Sequence, residues 1–264
     1  MNITDFYRMK QNNQKITMVT CYDFTAAQII AQSNIDCILV GDTAAMMMHG
    51  HKTTLPATVE MMIQHVAAVA RGAENKFIIG DLPFCSYRKE LTHTMNTVES
   101  LMRAGSSAIK LEGADDNVHA ITHIVKSGIP VMGHLGLTPQ SIHALGGFKV
   151  QGKNEQTAQK ILDQAKSLEE AGCFAVVLEC IPSPLAKKIS DQLTIPTIGI
   201  GAGPYTSGQV LVFHDLLGLQ TELKPKFVKT YLQGAKIILE SLNQYHQDVT
   251  SNVFPNLNEH CYEV

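Results

Sequence analysis

Four acids, one lysine and one histidine carry the chemistry this sequence can offer, and each stands at or near the end of a short apolar run. The acids are Asp42 (run Cys37 to Asp42), Asp81 (Phe77 to Leu82), Glu112 (Ala108 to Glu112) and Glu179 (Phe174 to Glu179). Lys110 precedes Glu112 by two residues, and His134 closes Pro130 to His134. Buried charge is costly unless paired or bound to a metal, so acids placed repeatedly at this point of the pattern argue for one shared polar site. Asp42, Asp81 and Glu112 offer hard carboxylate oxygens, a donor set for Mg²⁺ or a similar ion, whereas zinc draws mainly on His and Cys. The competing reading of each acid is a helix N-cap or a structural ion pair.

Lys110 and Glu112 share one side of a strand by alternation. A lysine facing inward needs an anion: a substrate carboxylate or keto oxygen, or else Glu112 or Asp81, and a Schiff-base role stays open. Glu179 ends the apolar stretch FAVVLE, where desolvation pushes a carboxyl toward neutrality and suits it to general-base work. A tie to Lys110 or to a backbone amide is the alternative. His134 opens HLGLTPQS, and with the GGFKVQG that follows it implies a long loop able to cover a site. Other signals are weaker. His49 and His51 have a spacing that can bind metal, GIGAG at 199–203 resembles a phosphate cradle or a close-packed backbone, and Cys180 sits beside an acid that disfavours its thiolate.

The elements that must position these groups follow from hydrophobic periodicity. Eight apolar runs alternate with longer amphipathic stretches: the five already placed, counting the Pro130 run, plus Ile16 to Tyr22, Pro196 to Gly201 and Val210 to Asp215. Runs apolar on both faces, separated by helices such as Thr58 to Arg71 and Glu155 to Ala171, describe a parallel sheet covered by helices. Three helix ends marked Ala104-Gly105, Ser127-Gly128 and Ala171-Gly172 repeat one turn grammar. Eight such strands make an α/β fold of the (β/α)8 TIM-barrel type, a single domain over 1–264 whose chemistry belongs at the C-terminal strand ends. Asp5 to Gln14 is expected as a helix closing the barrel bottom and Lys224 to Tyr245 as a closing helix, with 247–264 a polar tail given no structure. The connection 202–209 is too short for a full helix, which makes the eighth strand the weakest expectation.

Composition narrows the partners. The 21 basic and 24 acidic residues give a formal net charge of −3, and no basic stripe with interleaved aromatics speaks for nucleic acid. No apolar stretch approaches the roughly 20 residues needed to span a bilayer. The N-terminal segment lacks a signal-like apolar core, and the six cysteines show no C-x-x-C spacing, so a cytoplasmic chain with reduced thiols is expected.

From about residue 20 to 215 the chain carries TCYDFTAA, LVGDTAAM, TLPATVEMM, DLPF, MRAGSSAIKLEG, PVMGHLGLTPQS, GGFKVQGK, LEEAGCFAVVLECIP, IPTIGIGAG and GQVLVFHD. In this order and spacing they resemble the ketopantoate hydroxymethyltransferase family of pantothenate biosynthesis. The resemblance implies transfer of a hydroxymethyl group from 5,10-methylenetetrahydrofolate to 3-methyl-2-oxobutanoate, through a metal-stabilised enolate. It implies one Mg²⁺ per subunit held by Asp42, Asp81 and Glu112, and a keto acid contacted by Asp42, Thr43, Asp81, Lys110 and His134. Glu179 is the implied proton acceptor and a homo-oligomer, commonly a decamer, the implied assembly. Where the family usually reads GDS this chain reads GDT, so Thr43 keeps the hydroxyl and adds a methyl. The alternatives are a Mg²⁺-dependent lyase or mutase of the phosphoenolpyruvate mutase/isocitrate lyase type acting on another short keto acid, and a silent barrel used for binding, which would have lost one of Asp42, Asp81, Lys110 or Glu179.

Overall fold

Apolar runs too short for helices and buried on both faces become strands, and the amphipathic stretches between them become helices. The computed structural model describes residues 1–220 and 225–262. In chain order the elements are α1 (Ile3–Gln11), β1 (Ile16–Thr20), α2 (Phe24–Ala31), β2 (Cys37–Val40), α3 (Ala44–Met47), α4 (Val59–Gly72), β3 (Phe77–Asp81), α5 (Leu91–Arg103) and β4 (Ala108–Glu112). There follow α6 (Val118–Lys126), β5 (Val131–Gly136), a 3-10 turn (Pro139–Ser141), α7 (Ile142–Leu145), α8 (Glu155–Glu170), β6 (Ala175–Glu179), α9 (Ser183–Gln192), β7 (Thr197–Ile200) and β8 (Gly208–Leu211). All eight strands pair in parallel with their sequence neighbours, and β8 returns to β1, closing the barrel.

The interior splits into two levels. At the N-terminal ends of the strands Ile16, Met18, Cys37, Leu39, Phe77, Ile79, Ala108, Met132, Ala175, Val177, Ile198 and Val210 form one buried apolar cluster. Helix α1 closes it from below, as its amphipathic pattern predicts: Phe6 is fully buried and meets Phe77 and Phe174 edge-on at 5.3 and 5.1 Å. Lys10 fastens the same helix by donating to the carbonyls of Ser190, Leu193 and Ile195. The three expected glycine turns are present, with Gly105, Gly128 and Gly172 all at positive φ, a conformation that reverses a helix end at little cost only for glycine.

Several boundaries differ from expectation: α1 is Ile3–Gln11 and not Asp5 to Gln14, and β2 ends at Val40, which leaves Asp42 beyond the strand. Strand β8 is Gly208–Leu211, not Val210 to Asp215, because residues 201–207 form only a tight loop and the chain enters the strand at once. His214 and Asp215 therefore leave the set of strand-end residues and lie in α10 (Phe213–Leu216). Strand β5 runs to Gly136, which places His134 within the strand. Clustering of contacts divides the chain into Met1–Val212, the barrel, and Phe213–Val264. In the second unit α11 (Gly234–Thr250) replaces the expected helix 224–245, and α12 (Leu257–His260) falls in the tail that was given no structure. The tail's polar composition hid α12, a single turn begun by Asn256, whose side chain accepts from the Asn258 N–H. Lys224 and the last two residues of the tail lie outside the described residues. Among the described residues no helix is long and apolar enough to cross a membrane.

Candidate active site

Alternation places Asp81, Lys110, Glu112, His134 and Glu179 inside the barrel above the apolar cluster, and strand register decides which of them touch. Asp81 is paired in register with Lys110, and Glu112 with His134. Accordingly Lys110 Nζ lies 2.8 Å from Asp81 Oδ1, His134 Nδ1 lies 3.5 Å from Glu112 Oε1, and His134 Nε2 lies 3.2 Å from Glu179 Oε2. Gly136, at φ +95°, brings the end of β5 so close to β6 that a Cβ there would lie 2.2 Å from the Glu179 carbonyl oxygen. That approach sets the distance between His134 and Glu179. Asp42, one turn beyond β2, donates its backbone N–H to Asp81 Oδ2.

The electrostatics are those of an acid cluster with too few cations. Burial, then the charges of Asp81 and Glu112, push the Asp42 carboxyl well above the usual carboxylate range. Burial raises Asp81 as well, against the pull of Lys110. Burial would raise Glu112 too, but the hydrogen bond and charge of His134, with Lys110, bring it below its ordinary value. Desolvation disfavours the Lys110 ammonium, yet Asp81, Glu112 and Asp42 outweigh it and hold the lysine firmly charged. Burial and Lys110 likewise depress His134, and its hydrogen bonds to Glu112 and Glu179 win, so that it is pushed up to about 9. Cys180 is pushed up to about 12 by burial and by Glu179, which removes it as a nucleophile.

Four carboxylates thus face two cations, and a divalent cation would restore the balance. Among the described residues no three His, Cys, Asp or Glu side chains form a preformed cage. The carboxylates fit an ion that is held by one or two acids and keeps several waters, as Mg²⁺ does, better than one enclosed wholly by protein. The cavity they line has a volume of about 60 Å³, room for roughly four to six waters at the usual 10–15 Å³ each. Leu39, Val177, Ile200, Val210 and Val212 form its apolar wall.

Several contacts were not foreseen. Thr43 Oγ1 lies 2.6 Å from Tyr22 OH, so the retained hydroxyl meets a buried phenol. Gln140, from the HLGLTPQS segment, reaches Asp42 and Glu112, and Tyr87 reaches Gln140. The segment supplied a signal for Gln140, a polar residue in a long loop, and nothing marked Tyr87. His49 meets His65 at 3.0 Å through their Nε2 atoms, and His65 Nδ1 lies 2.6 Å from the Tyr22 carbonyl oxygen. Asp23 caps α2, its side chain accepting from the Ala26 N–H.

A closed parallel barrel with acids, a lysine and a histidine at the C-terminal ends of its strands defines a (β/α)8-barrel protein with one polar site at its mouth. The family model described as ketopantoate hydroxymethyltransferase matches residues 1–257. A 3-methyl-2-oxobutanoate hydroxymethyltransferase of Coxiella burnetii is 63% identical over 263 residues, covering 99% of both chains. One of Legionella pneumophila is 57% identical over 263 residues, covering 99% of this chain and 100% of the other. The chain belongs to the ketopantoate hydroxymethyltransferase family. In fold it is similar to a phosphoenolpyruvate phosphomutase from Streptomyces platensis (TM-score 0.64, 10% identity, 100% and 92% of the two chains). It is equally similar to a phosphonopyruvate hydrolase in complex with oxalate and Mg²⁺ (TM-score 0.64, 10% identity, 100% and 93%). Identity that low carries the architecture alone, and the family match favours hydroxymethyl transfer over the lyase or mutase alternative.

Proposed function

We infer that the chain catalyses the reaction for which its relatives are named, hydroxymethylation of 3-methyl-2-oxobutanoate to 2-dehydropantoate in pantothenate biosynthesis, with 5,10-methylenetetrahydrofolate as the one-carbon donor. The observation that carries the reading at the site is the juxtaposition of a carboxylate at the rim, Glu179, with a buried cation pair, Lys110 and His134, around one small cavity. Its acids would hold the ion through Asp42 and Asp81, with Glu112 acting directly or through water.

A bound Mg²⁺ supplies Lewis acidity to the keto carbonyl. The remaining work belongs to the chain. Glu179 takes the proton from the carbon next to the carbonyl, since its side chain is 17% exposed toward the mouth and the other three acids are sealed below it. Lys110 stabilises the negative charge that develops on the keto oxygen. Thr43, Asp81 and His134, with Asp42, fix the acid head, and the apolar wall receives the branched tail. Water adds to the donor's methylene carbon as its carbon–nitrogen bonds break, releasing tetrahydrofolate and a one-carbon aldehyde; the enolate carbon bonds to that aldehyde carbon, and the resulting alkoxide takes back the proton held by Glu179.

Purified protein supplied with Mg²⁺, 3-methyl-2-oxobutanoate and methylenetetrahydrofolate labelled at the transferred carbon should form 2-dehydropantoate carrying that label, read by mass spectrometry. Absence of labelled product, or cleavage of the keto acid in its place, overturns the reading.

A further inference from the structure

Gln140 hydrogen-bonds two members of the acid cluster, Asp42 and Glu112, and has been given no role above. It is the middle residue of the 3-10 turn in the connection between β5 and α8, 98 residues from Asp42 in the chain. Its side chain is buried, and every hydrogen-bonding atom of its amide is engaged. Nε2 donates to Asp42 Oδ2 and to the Leu82 carbonyl, both at 2.9 Å, while Oε1 accepts from Tyr87 OH at 2.7 Å. Its backbone N–H donates to Glu112 Oε2 at 3.0 Å. The Leu82 carbonyl, which can only accept, fixes the sense of the amide: the nitrogen faces Leu82 and Asp42, and the oxygen is left to accept from the Tyr87 phenol.

We propose that Gln140 is a positioning residue of the cation site, orienting the Asp42 carboxylate through its amide and the Glu112 carboxylate through its backbone N–H. Each contact occupies one lone pair of the carboxylate it meets and leaves others for the ion. Partners of this kind fix the orientation of metal-binding side chains, and their loss commonly weakens metal affinity by roughly 10- to 100-fold. A residue that merely filled the space beneath the loop would need no donor directed at Asp42. The inference rests on the reading of Asp42, Asp81 and Glu112 as cation ligands.

Metal-stripped full-length protein, titrated with Mn²⁺ and followed by the electron paramagnetic resonance of the free ion, separates the two. Wild type should bind the ion and Asp42→Asn should lose it. Gln140→Met, which keeps the volume and removes the amide, should bind about 10- to 100-fold more weakly. Its kcat should return to within about threefold of wild type once Mg²⁺ is saturating, as expected when affinity alone is lost. Tyr87→Phe, which leaves the amide oxygen without its partner and the side chain less firmly held, should weaken binding on the order of fivefold. If Gln140→Met binds Mn²⁺ as wild type does while Asp42→Asn does not, the role of Gln140 is refuted and the cation site stands. If wild type fails to bind, or Asp42→Asn binds unchanged, the cation site itself is refuted and Gln140 with it. Should Gln140→Met fail to fold, an unchanged affinity in Tyr87→Phe refutes the proposal and a weakened one supports it.

Discussion

Replacing Lys110 by methionine tests whether the acid cluster depends on its internal cation. The lysine and Asp81 are 2.8 Å apart, with side chains 4% and 2% exposed, so water cannot replace the lost partner. Removing one member of a buried ion pair costs about 3–5 kcal/mol, mostly the penalty of leaving the other charge uncompensated. The cluster can escape part of that cost by holding a proton, since burial and mutual repulsion already push Asp42 and Asp81 upward. An acid whose folded pKa is raised keeps in the native state a proton that the unfolded chain has released. Its contribution is least favourable above the raised value and improves as pH falls through that value toward the unfolded one. One extra proton returns at most about 1.4 kcal/mol per pH unit. In urea unfolding with chelator, Lys110→Met should be less stable than wild type by about 3–5 kcal/mol at pH 8, and the deficit should shrink as the pH is lowered. A deficit under about 1 kcal/mol, or one that grows on acidification, would refute the reasoning.

Three further outcomes follow from single contacts. His134, pushed up to about 9 from an ordinary 6.5, contributes stability that is complete below about pH 6.5 and is lost as pH rises through about 9. Metal-free wild type should lose about 3 kcal/mol over that window, and His134→Gln should flatten the slope in pH-dependent unfolding. Gly136→Ala forces a Cβ to 2.2 Å from the Glu179 carbonyl oxygen at φ +95°. It should cost more than about 1 kcal/mol and lower kcat, because it displaces the base. Phe6→Ala empties the aromatic plug under the barrel and should cost about 3–5 kcal/mol by thermal unfolding while the folded fraction keeps its KM.

The fold was legible wherever burial on both faces makes a strand read as a continuous apolar run, and β4 matches the sequence reading residue for residue. Strand β8 was misplaced because its neighbours are polar and its entry lacks a helix. For the site, strand-end acids were visible at once, since alternation and burial are local properties. Which acid meets which base was not, because it depends on the stagger between strands. That register pairs Lys110 with Asp81 and brings His134 between Glu112 and Glu179, contacts for which the sequence left alternatives open. Gln140 and Tyr87 were hidden for a similar reason. Their importance lies in hydrogen bonds across 98 and 53 residues of chain, and a glutamine in a loop carries no local pattern that announces such partners.

The central claim is that Glu179 removes a proton from the keto acid at a cation-assisted site. Incubating the protein with 3-methyl-2-oxobutanoate in D₂O without folate, and following the C3 proton by NMR, tests it directly. Exchange that needs Mg²⁺ and disappears in a folded Glu179→Gln variant is the predicted result. Absence of exchange in wild type, or full exchange in Glu179→Gln, would contradict the account.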